Sequence, residues 1–352
     1  MLAILGIDTS CDESAAGIVV DGRFLRSNVI ASQIAVHRAY GGVVPEVASR
    51  AHLTSLPPVL IRALEEAGLS YADLGAVAVT QGPGLVGALL VGVAAAKALA
   101  YALKIPLIPV HHLLGHLYSC WLARPDLSFP AVCLVASGGH TSLLLWEDHL
   151  RVTVVGRTRD DAAGEAFDKV ARYLGLPYPG GPALEELARE GDPRAFSFPR
   201  AWLEPETLDF SFSGLKTAVV NCCRRLEASG RSLPLADVAA SFQAAVVEVL
   251  VEKTARAMHT FRGSTLALAG GVAANESLRQ SLAARASAEG WDLVVPPREL
   301  CTDNGAMVAA AGYFLYRGGR YGDVFLEAVP ALRLEDFLPP FFPGAIVDKS
   351  GR

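Results

Sequence analysis

Ala131-Val132-Cys133-Leu134-Val135-Ala136-Ser137-Gly138-Gly139-His140-Thr141-Ser142-Leu143-Leu144-Leu145-Trp146 is the stretch whose reading decides the fold. Residues 131–136 are a buried-type strand, 137–141 a polar turn and 142–146 a second strand. A tight turn at 147–149 leads to a third strand at 150–155. The same order stands at the start of the chain. Residues 3–9 form a strand ending in Asp8-Thr9-Ser10, and Cys11-Asp12-Glu13-Ser14 is a polar turn. Strands at 15–20 and 24–31 follow, joined by Asp21-Gly22. One pattern met twice marks a duplicated architecture.

Each copy continues into helices and further strands. After the first come an amphipathic helix at 54–67, with Pro57 and Pro58 in its first turn, a strand at 76–80, an apolar helix and a strand at 107–110. After the second come helices at 183–190 and 236–261, a strand at 265–269 and a helix at 276–289. Residues 32–53, with Gly41, Gly42, Pro45, His37 and His52, interrupt the first copy as an insertion. The expected arrangement is two α/β domains, 1–125 and 126–317, facing each other across a central cleft. The last helix, 306–316, packs back across the cleft, and 318–352, with Pro339, Pro340 and Pro343, is a surface tail.

The 352 residues are 51% apolar and 19% charged, which allows a large core and excludes global disorder. The net charge of −5 excludes a chain coated in basic charge, so a nucleic-acid partner needs a local basic patch or a helper protein. Cys11, Cys120, Cys133, Cys222, Cys223 and Cys301 form no C-x-x-C pair, the usage of a reducing cytosol. No basic region and cleavage site precede the first strand, so no signal peptide and a cytoplasmic location are expected. The longest apolar run, 84–96, ends at Lys97, is too short for a membrane span and reads as a small-residue helix packed inside a domain.

Paired hairpin turns lining a cleft resemble the actin, Hsp70 and sugar-kinase architecture, in which such turns hold nucleotide phosphates. Gly138-Gly139 lets the main chain come close to a ligand, and successive N–H groups can form an anion nest. His112 and His116, four apart, share one helix face and can chelate one divalent ion. Imidazole suits Zn, Fe or Ni better than Mg or Ca. Asp303, in Cys301-Thr302-Asp303-Asn304-Gly305 before the last helix, either caps that helix or supplies a third, anionic ligand. Asp168 lies in a carboxylate-dense run, Gly181 and Glu185 follow Tyr178-Pro179-Gly180, and Asn275 ends a Gly270-Gly271 turn that opens a helix. Together these favour a nucleoside site in the second domain.

The segments GIDTSCDES (6–14), HRAYGGVVPEVASRAHL (37–53), QGPGLVGALLVG (81–92), HHLLGH (111–116), SGGHT (137–141), RDDAAGEAFDK (159–169), YPGGP (178–182), DFSFSGLKTAV (209–219), AGGVAANESLR (269–279) and TDNGAMVA (302–309) resemble, in order, the motifs of the TsaD family, formerly Gcp or YgjD. Small departures are Ser14, where Thr is usual, and Ala136, where Val is usual. The resemblance implies a duplicated actin-like (ASKHA, ribonuclease H-like) α/β fold. It implies a tRNA N6-adenosine threonylcarbamoyltransferase, moving threonylcarbamoyl from threonylcarbamoyl-AMP to the adenosine 3′ of the anticodon in tRNAs reading ANN codons, to make t6A. Matched motif by motif, His112, His116 and Asp303 hold one divalent metal, Fe(II) ahead of Zn. Val135, Ala136, Ser137, Gly138, Gly139, Asp168, Gly181, Glu185 and Asn275 bind the donor. Implied partners are tRNA, a TsaB-like paralogue, a TsaE-like ATPase and a TsaC-like enzyme that supplies the donor, with no membrane.

Asp12 and Glu13, on the first hairpin turn, are the candidates for proton handling or acceptor positioning. Arg38 and Arg50, beside the insertion, are candidate tRNA contacts. Two rival activities are weaker. A metalloprotease wants Glu after the first His of the pair, and Leu113, Leu114 and Gly115 stand there instead. An actin-like ATPase or kinase works with carboxylates and Mg and has no need of two helical histidines.

Overall fold

The computed structural model describes residues 1–202, 204 and 207–338. Strand β1 (Ala3–Asp8) pairs antiparallel with β2 (Glu13–Val20), which pairs antiparallel with β3 (Phe24–Ser32). On the other side of β1, β4 (Leu74–Gly82) and β5 (Leu107–His111) add in parallel, giving the order β3-β2-β1-β4-β5. The second sheet is built from β6 (Ala131–Ala136), β7 (Thr141–Asp148), β8 (Arg151–Arg157), β9 (Thr265–Ala269) and β10 (Asp292–Val294), in the order β10-β9-β6-β7-β8. Each strand of the second sheet takes the place and direction of its counterpart five numbers earlier. This is the duplicated actin-like α/β fold that the repeated hairpins led us to expect. β1, β6 and β9 are buried along their whole length, because elements cover both faces of each sheet; their sequences are therefore continuously apolar.

The helices are α1 (Ile34–Arg38), α2 (Pro45–Ala67), α3 (Val86–Leu103), α4 (His112–Ala123), α5 (Ala163–Tyr173), α6 (Gly180–Ala188), α7 (Ser213–Ala228), α8 (Leu235–Thr260), α9 (Glu276–Glu289), α10 (Gly305–Arg317) and α11 (Leu334–Phe337). Several differ from expectation. α2 begins inside the insertion, at Pro45, so Pro57 and Pro58 lie in its interior rather than in its first turn. A proline at the first helical position loses no hydrogen bond. The two interior prolines are tolerated because Leu56, Val59, Leu60, Ala63 and Leu64 bury the helix against the first sheet. α3 runs past Lys97 to Leu103 and is, among the described residues, the one helix long and apolar enough to cross a membrane. Its Ala88, Leu89, Gly92, Val93, Ala96 and Ala100 face packs inward, and Lys97 Nζ donates to the Leu326 carbonyl at 3.1 Å. α5 and α7 were not read from sequence. The charged run around α5 hides an apolar stripe, Ala163, Ala166, Phe167 and Val170, at helical spacing.

One core joins both sheets. Ile4, Ala78 and Val110 of the first, and Cys133, Val135 and Ala267 of the second, pack together with α4 and α10. α10 touches β1 and β2 backbone to backbone: a β-carbon at Gly305 would fall 2.1 Å from the Gly17 nitrogen, and one at Gly6 would fall 2.2 Å from the Gly305 oxygen. From residue 318 the chain runs back along the first sheet. Gly322 bridges to Leu107, Val329 N–H donates to the Gln81 carbonyl, and Leu334 and Leu338 are buried. Pro339, Pro340 and Pro343 lie outside the described residues.

Candidate functional site

α4 and α10 start beside one another in the shared core, and each start delivers ligands. His112 is the first residue of α4, and His116 follows one turn later. The cap of α4 is His111, whose Nδ1 accepts the Leu113 N–H while its Nε2 donates to the Leu332 carbonyl at 3.1 Å. The cap of α10 is Asn304, whose Oδ1 accepts the Met307 N–H at 2.9 Å. Capping is thus done by the neighbour, and the Asp303 carboxylate turns to the histidines. Its Oδ1 lies 3.5 Å from His112 Nε2 and 3.3 Å from His116 Nε2. The three donor atoms lie within 4.8 Å of one another.

Both ring nitrogens of His116 are buried without a hydrogen-bond partner among the described residues. Such atoms cost free energy unless something meets them, and a cation between the two imidazoles and the carboxylate would meet the Nε2. Burial raises the Asp303 carboxyl, but the neighbouring His112 and His116 outweigh it and hold it well below the usual carboxylate range. Burial disfavours a charged His112, yet Asp303 and Asp8 push it up to about 9. His140, whose ring centre is 6.0 Å from that of His112, goes the other way: burial, then the two histidines, push it down to about 3.

Asp8 was missed in the sequence. It is fully buried at the end of β1, and its Oδ2 lies 3.3 Å from His112 Nδ1 while also accepting from Thr80 Oγ1 at 2.9 Å. Its Oδ1 accepts the Ser10 N–H. A carboxylate on Nδ1 keeps a proton there, so a metal that displaces the Nε2 proton would take that nitrogen as its ligand; such a carboxylate is the usual outer partner of a ligating histidine. The only local signal was an acidic residue ending an apolar strand.

The donor candidates gather at the C-terminal ends of β6 and β9. Val135 and Ala136 are fully buried and can offer only backbone. Ser137 N–H donates to the His140 carbonyl at 2.7 Å, closing the turn. A β-carbon at Gly138, Gly139 or Gly181 would meet nothing within 4 Å, so the space above them is open. Two other glycines make the close approaches. At Gly270, with φ +89°, a β-carbon would sit 2.3 Å from the Ala136 oxygen, and at Gly164 it would sit 2.6 Å from the Ser137 oxygen. The remaining candidates are tied to helix starts. Asp168 Oδ1 accepts the Gly180 N–H at 2.8 Å, Glu185 Oε1 accepts the Glu276 N–H at 2.7 Å, and Asn275 caps α9 through the Leu278 N–H while donating to Gln243 Oε1. Burial raises the Asp168 carboxyl, partly offset by the Gly180 and Gly181 amides.

The acidic turn faces this site. Tyr178, from the loop before α6, donates its hydroxyl to Asp12 Oδ2 at 3.3 Å, and Arg38 Nε donates to the Tyr178 carbonyl at 3.3 Å. Arg50 is exposed and paired with Glu46 at 2.7 Å. Glu13 is the first residue of β2, not part of the turn proper. Burial first, then Asp12, Asp303 and Asp8, push its carboxyl up to about 10, so it holds a proton at neutral pH. Above pH 4.5 an unfolded Glu13 loses a proton that the folded one keeps, which costs stability increasingly up to about pH 10. Glu13→Gln is therefore expected to stabilise the metal-stripped protein at pH 8 by on the order of 1 kcal/mol, after discounting for partial exposure. The gain should vanish at pH 4. Paired thermal melts at the two pH values check this, and an equal effect at both would contradict the protonated state.

A family model described as TsaD, tRNA N6-adenosine threonylcarbamoyltransferase, matches residues 24–310. Proteins named tRNA N6-adenosine threonylcarbamoyltransferase from Moorella thermoacetica and Desulfitobacterium hafniense are 61% and 54% identical over 331 residues, covering 94% of this chain and 97% of each relative. Among solved structures, full-length HypF in a phosphate- and nucleotide-bound form superposes with a TM-score of 0.62 at 14% identity, over 90% of this chain and 46% of that one. Component A of the Acidaminococcus fermentans (R)-2-hydroxyglutaryl-CoA dehydratase superposes with a TM-score of 0.52 at 15% identity, over 89% of this chain and 98% of that one. At such identities the two structures speak for the fold alone. The chain belongs to the TsaD family, the tRNA N6-adenosine threonylcarbamoyltransferases.

Proposed function

We propose that the threonylcarbamoyl transfer runs in the cleft between two domains, 1–125 and 126–317, on the residues assembled there. The observation that carries this is the set of two buried histidines, His112 and His116, with the half-buried Asp303, in which both His116 ring nitrogens lack a hydrogen-bond partner among the described residues. Two imidazoles and one carboxylate suit a transition metal, Fe(II) ahead of Zn, better than Mg. When bound, such an ion supplies Lewis-acid polarisation of carbonyl and phosphate oxygens.

The chain's own groups do the rest. The donor is threonylcarbamoyl-AMP. Its phosphate lies over the open backbone of Ser137, Gly138 and Gly139, and Val135 and Ala136 border it with main chain. Its nucleoside lies toward Asp168, Gly181, Glu185 and Asn275. The acceptor adenosine presents its N6 amine to the carbamoyl carbon; a C–N bond forms, the C–O bond to AMP breaks, and the N6 proton must leave. Asp12, held by the Tyr178 hydroxyl, stands as the group that receives it. Glu13, whose carboxyl burial and then Asp12 push upward, stands next to Asp12 and can hydrogen-bond the acceptor in the same place.

The tRNA meets a chain of net charge −5. Arg38 and Arg50 at the insertion are its basic contacts here, and a TsaB-like paralogue and a TsaE-like ATPase add surface. A TsaC-like enzyme makes the donor. The tRNA substrate places the work in the cytoplasm. Gly139→Val tests the donor site: the open space lets the variant fold, while the branched side chain fills the phosphate position. Calorimetry should show AMP binding weakened by about tenfold or more, close to 1.4 kcal/mol, and nucleoside mass spectrometry should show t6A formation falling with it. Unchanged AMP affinity would move the phosphate elsewhere.

A further inference from the structure

The insertion reaches the acidic turn through a chain of hydrogen bonds with one direction. Val44 N–H can only donate, and it meets His37 Nδ1 at 3.3 Å. The His37 proton therefore sits on Nε2, which is 3.2 Å from Gln33 Oε1. The Gln33 amide is oriented independently, because its nitrogen faces the Ala48 carbonyl at 3.4 Å, an acceptor only. That nitrogen lies 3.3 Å from His52 Nδ1, which Ser14 Oγ also approaches at 2.7 Å. With Nδ1 accepting, the His52 proton sits on Nε2 and is given to the Cys11 carbonyl at 3.0 Å. Gln33, His37 and His52 are all buried. Burial lowers the His52 pKa, which keeps that ring neutral. The Gln33 backbone N–H takes the next carbonyl, that of Asp12, at 3.0 Å. Two successive carbonyls just before Glu13 are thus held by the insertion. The loop at the far end touches the second unit, where Arg172 donates to the Gly41 carbonyl at 2.5 Å and Arg38 to that of Tyr178.

We propose that His52, ordered through Gln33 and His37, is a positioning residue for the Cys11-Asp12-Glu13 turn, and that this relay passes the seating of the insertion on the second unit to the acidic side chains. The proposal rests on the roles given above to Asp12 and Glu13. Fixed hydrogen bonds to consecutive carbonyls leave the turn few alternative conformations, and a misplacement of about 1 Å at a reacting group can cost about a hundredfold in rate.

The test uses the full chain. Nitrogen-15 histidine spectra should show His37 and His52 as neutral Nε2–H tautomers. Gln33→Met keeps the length and removes the relay; it should leave AMP affinity, metal content and donor KM unchanged while the single-turnover rate of t6A formation falls about tenfold to a hundredfold. His52→Phe should show the same loss. His52→Gln, whose amide nitrogen can reach the Cys11 carbonyl, should recover most of the rate. An Nδ1–H tautomer or a charged ring at His52 in the wild type would overturn the relay. Wild-type turnover by Gln33→Met and His52→Phe, or a His52→Gln as slow as His52→Phe, would overturn the positioning role. The spectra need no turnover, so a wild type with these tautomers in which Asp12→Ala and Glu13→Ala left the rate unchanged would count against the roles of Asp12 and Glu13 and leave the relay standing.

Discussion

His116→Ala is expected to leave the protein folded, unable to retain a divalent ion and inactive. The imidazole is fully buried and neither nitrogen has a hydrogen-bond partner among the described residues. A structural histidine would be a poor choice there, since each unmet buried polar atom costs about 1–3 kcal/mol. Alanine removes that cost but also the contact with the Asp303 carboxylate, and leaves a cavity, so the metal-stripped protein should stay folded with a melting temperature near or modestly below that of the wild type. Metal affinity should fall by more than the roughly 10–100-fold that loss of an outer partner costs. The rate of t6A formation should fall by about a hundredfold or more, as when one preorganised electrostatic contact is lost. Elemental analysis, thermal melts and nucleoside mass spectrometry on one preparation check all three. A variant that keeps its metal and its rate would remove His116 from the ligand set; one that unfolds without metal would make it a packing residue.

Gly305→Ala is expected to damage stability and metal binding together, although position 305 holds no ligand. A β-carbon there would lie 2.1 Å from the Gly17 nitrogen and 2.3 Å from the Ala16 carbonyl carbon. Those are backbone atoms of β2 in the middle of a sheet and cannot rotate away. α10 must therefore move outward, at about 3 kcal/mol or more, the upper range for overpacking. Asp303, two residues earlier, moves with it and leaves the Nε2 atoms of His112 and His116. Gly181→Ala is the control for stability, because a β-carbon there meets nothing within 4 Å. Denaturant melts and metal titration read the outcome, and a Gly305→Ala that matches the wild type in both would mean that α10 does not hold Asp303 in place by close packing.

Much of this was legible in the chain itself. The apolar runs of 3–31 and 131–155 have strand length and are broken by polar turns in the same order, and run length and turn residues are local properties that need no tertiary information. The duplicated sheets follow from them, and the shared face of His112 and His116 follows from the helical spacing of four. The helices α5 and α7 were hidden because charged and hydroxyl residues that serve distant contacts overlie their apolar stripes. Asp161, for example, reaches Lys216 at 3.7 Å and Asp160 binds the backbone ahead of α7.

What the tertiary structure decided is which of several equivalent polar groups does which task. Asp303 and Asn304 are adjacent and both are good helix caps, yet only the seating of α10 on Gly6 and Gly17 shows Asn304 capping and Asp303 meeting the histidines. Asp8 finds His112 from 104 positions away, and His52 finds the Cys11 carbonyl from 41. Hydrogen bonds reach only about 3 Å and demand direction. Such partnerships therefore exist only once packing has brought the two backbones to fixed positions, and no spacing along the chain encodes them.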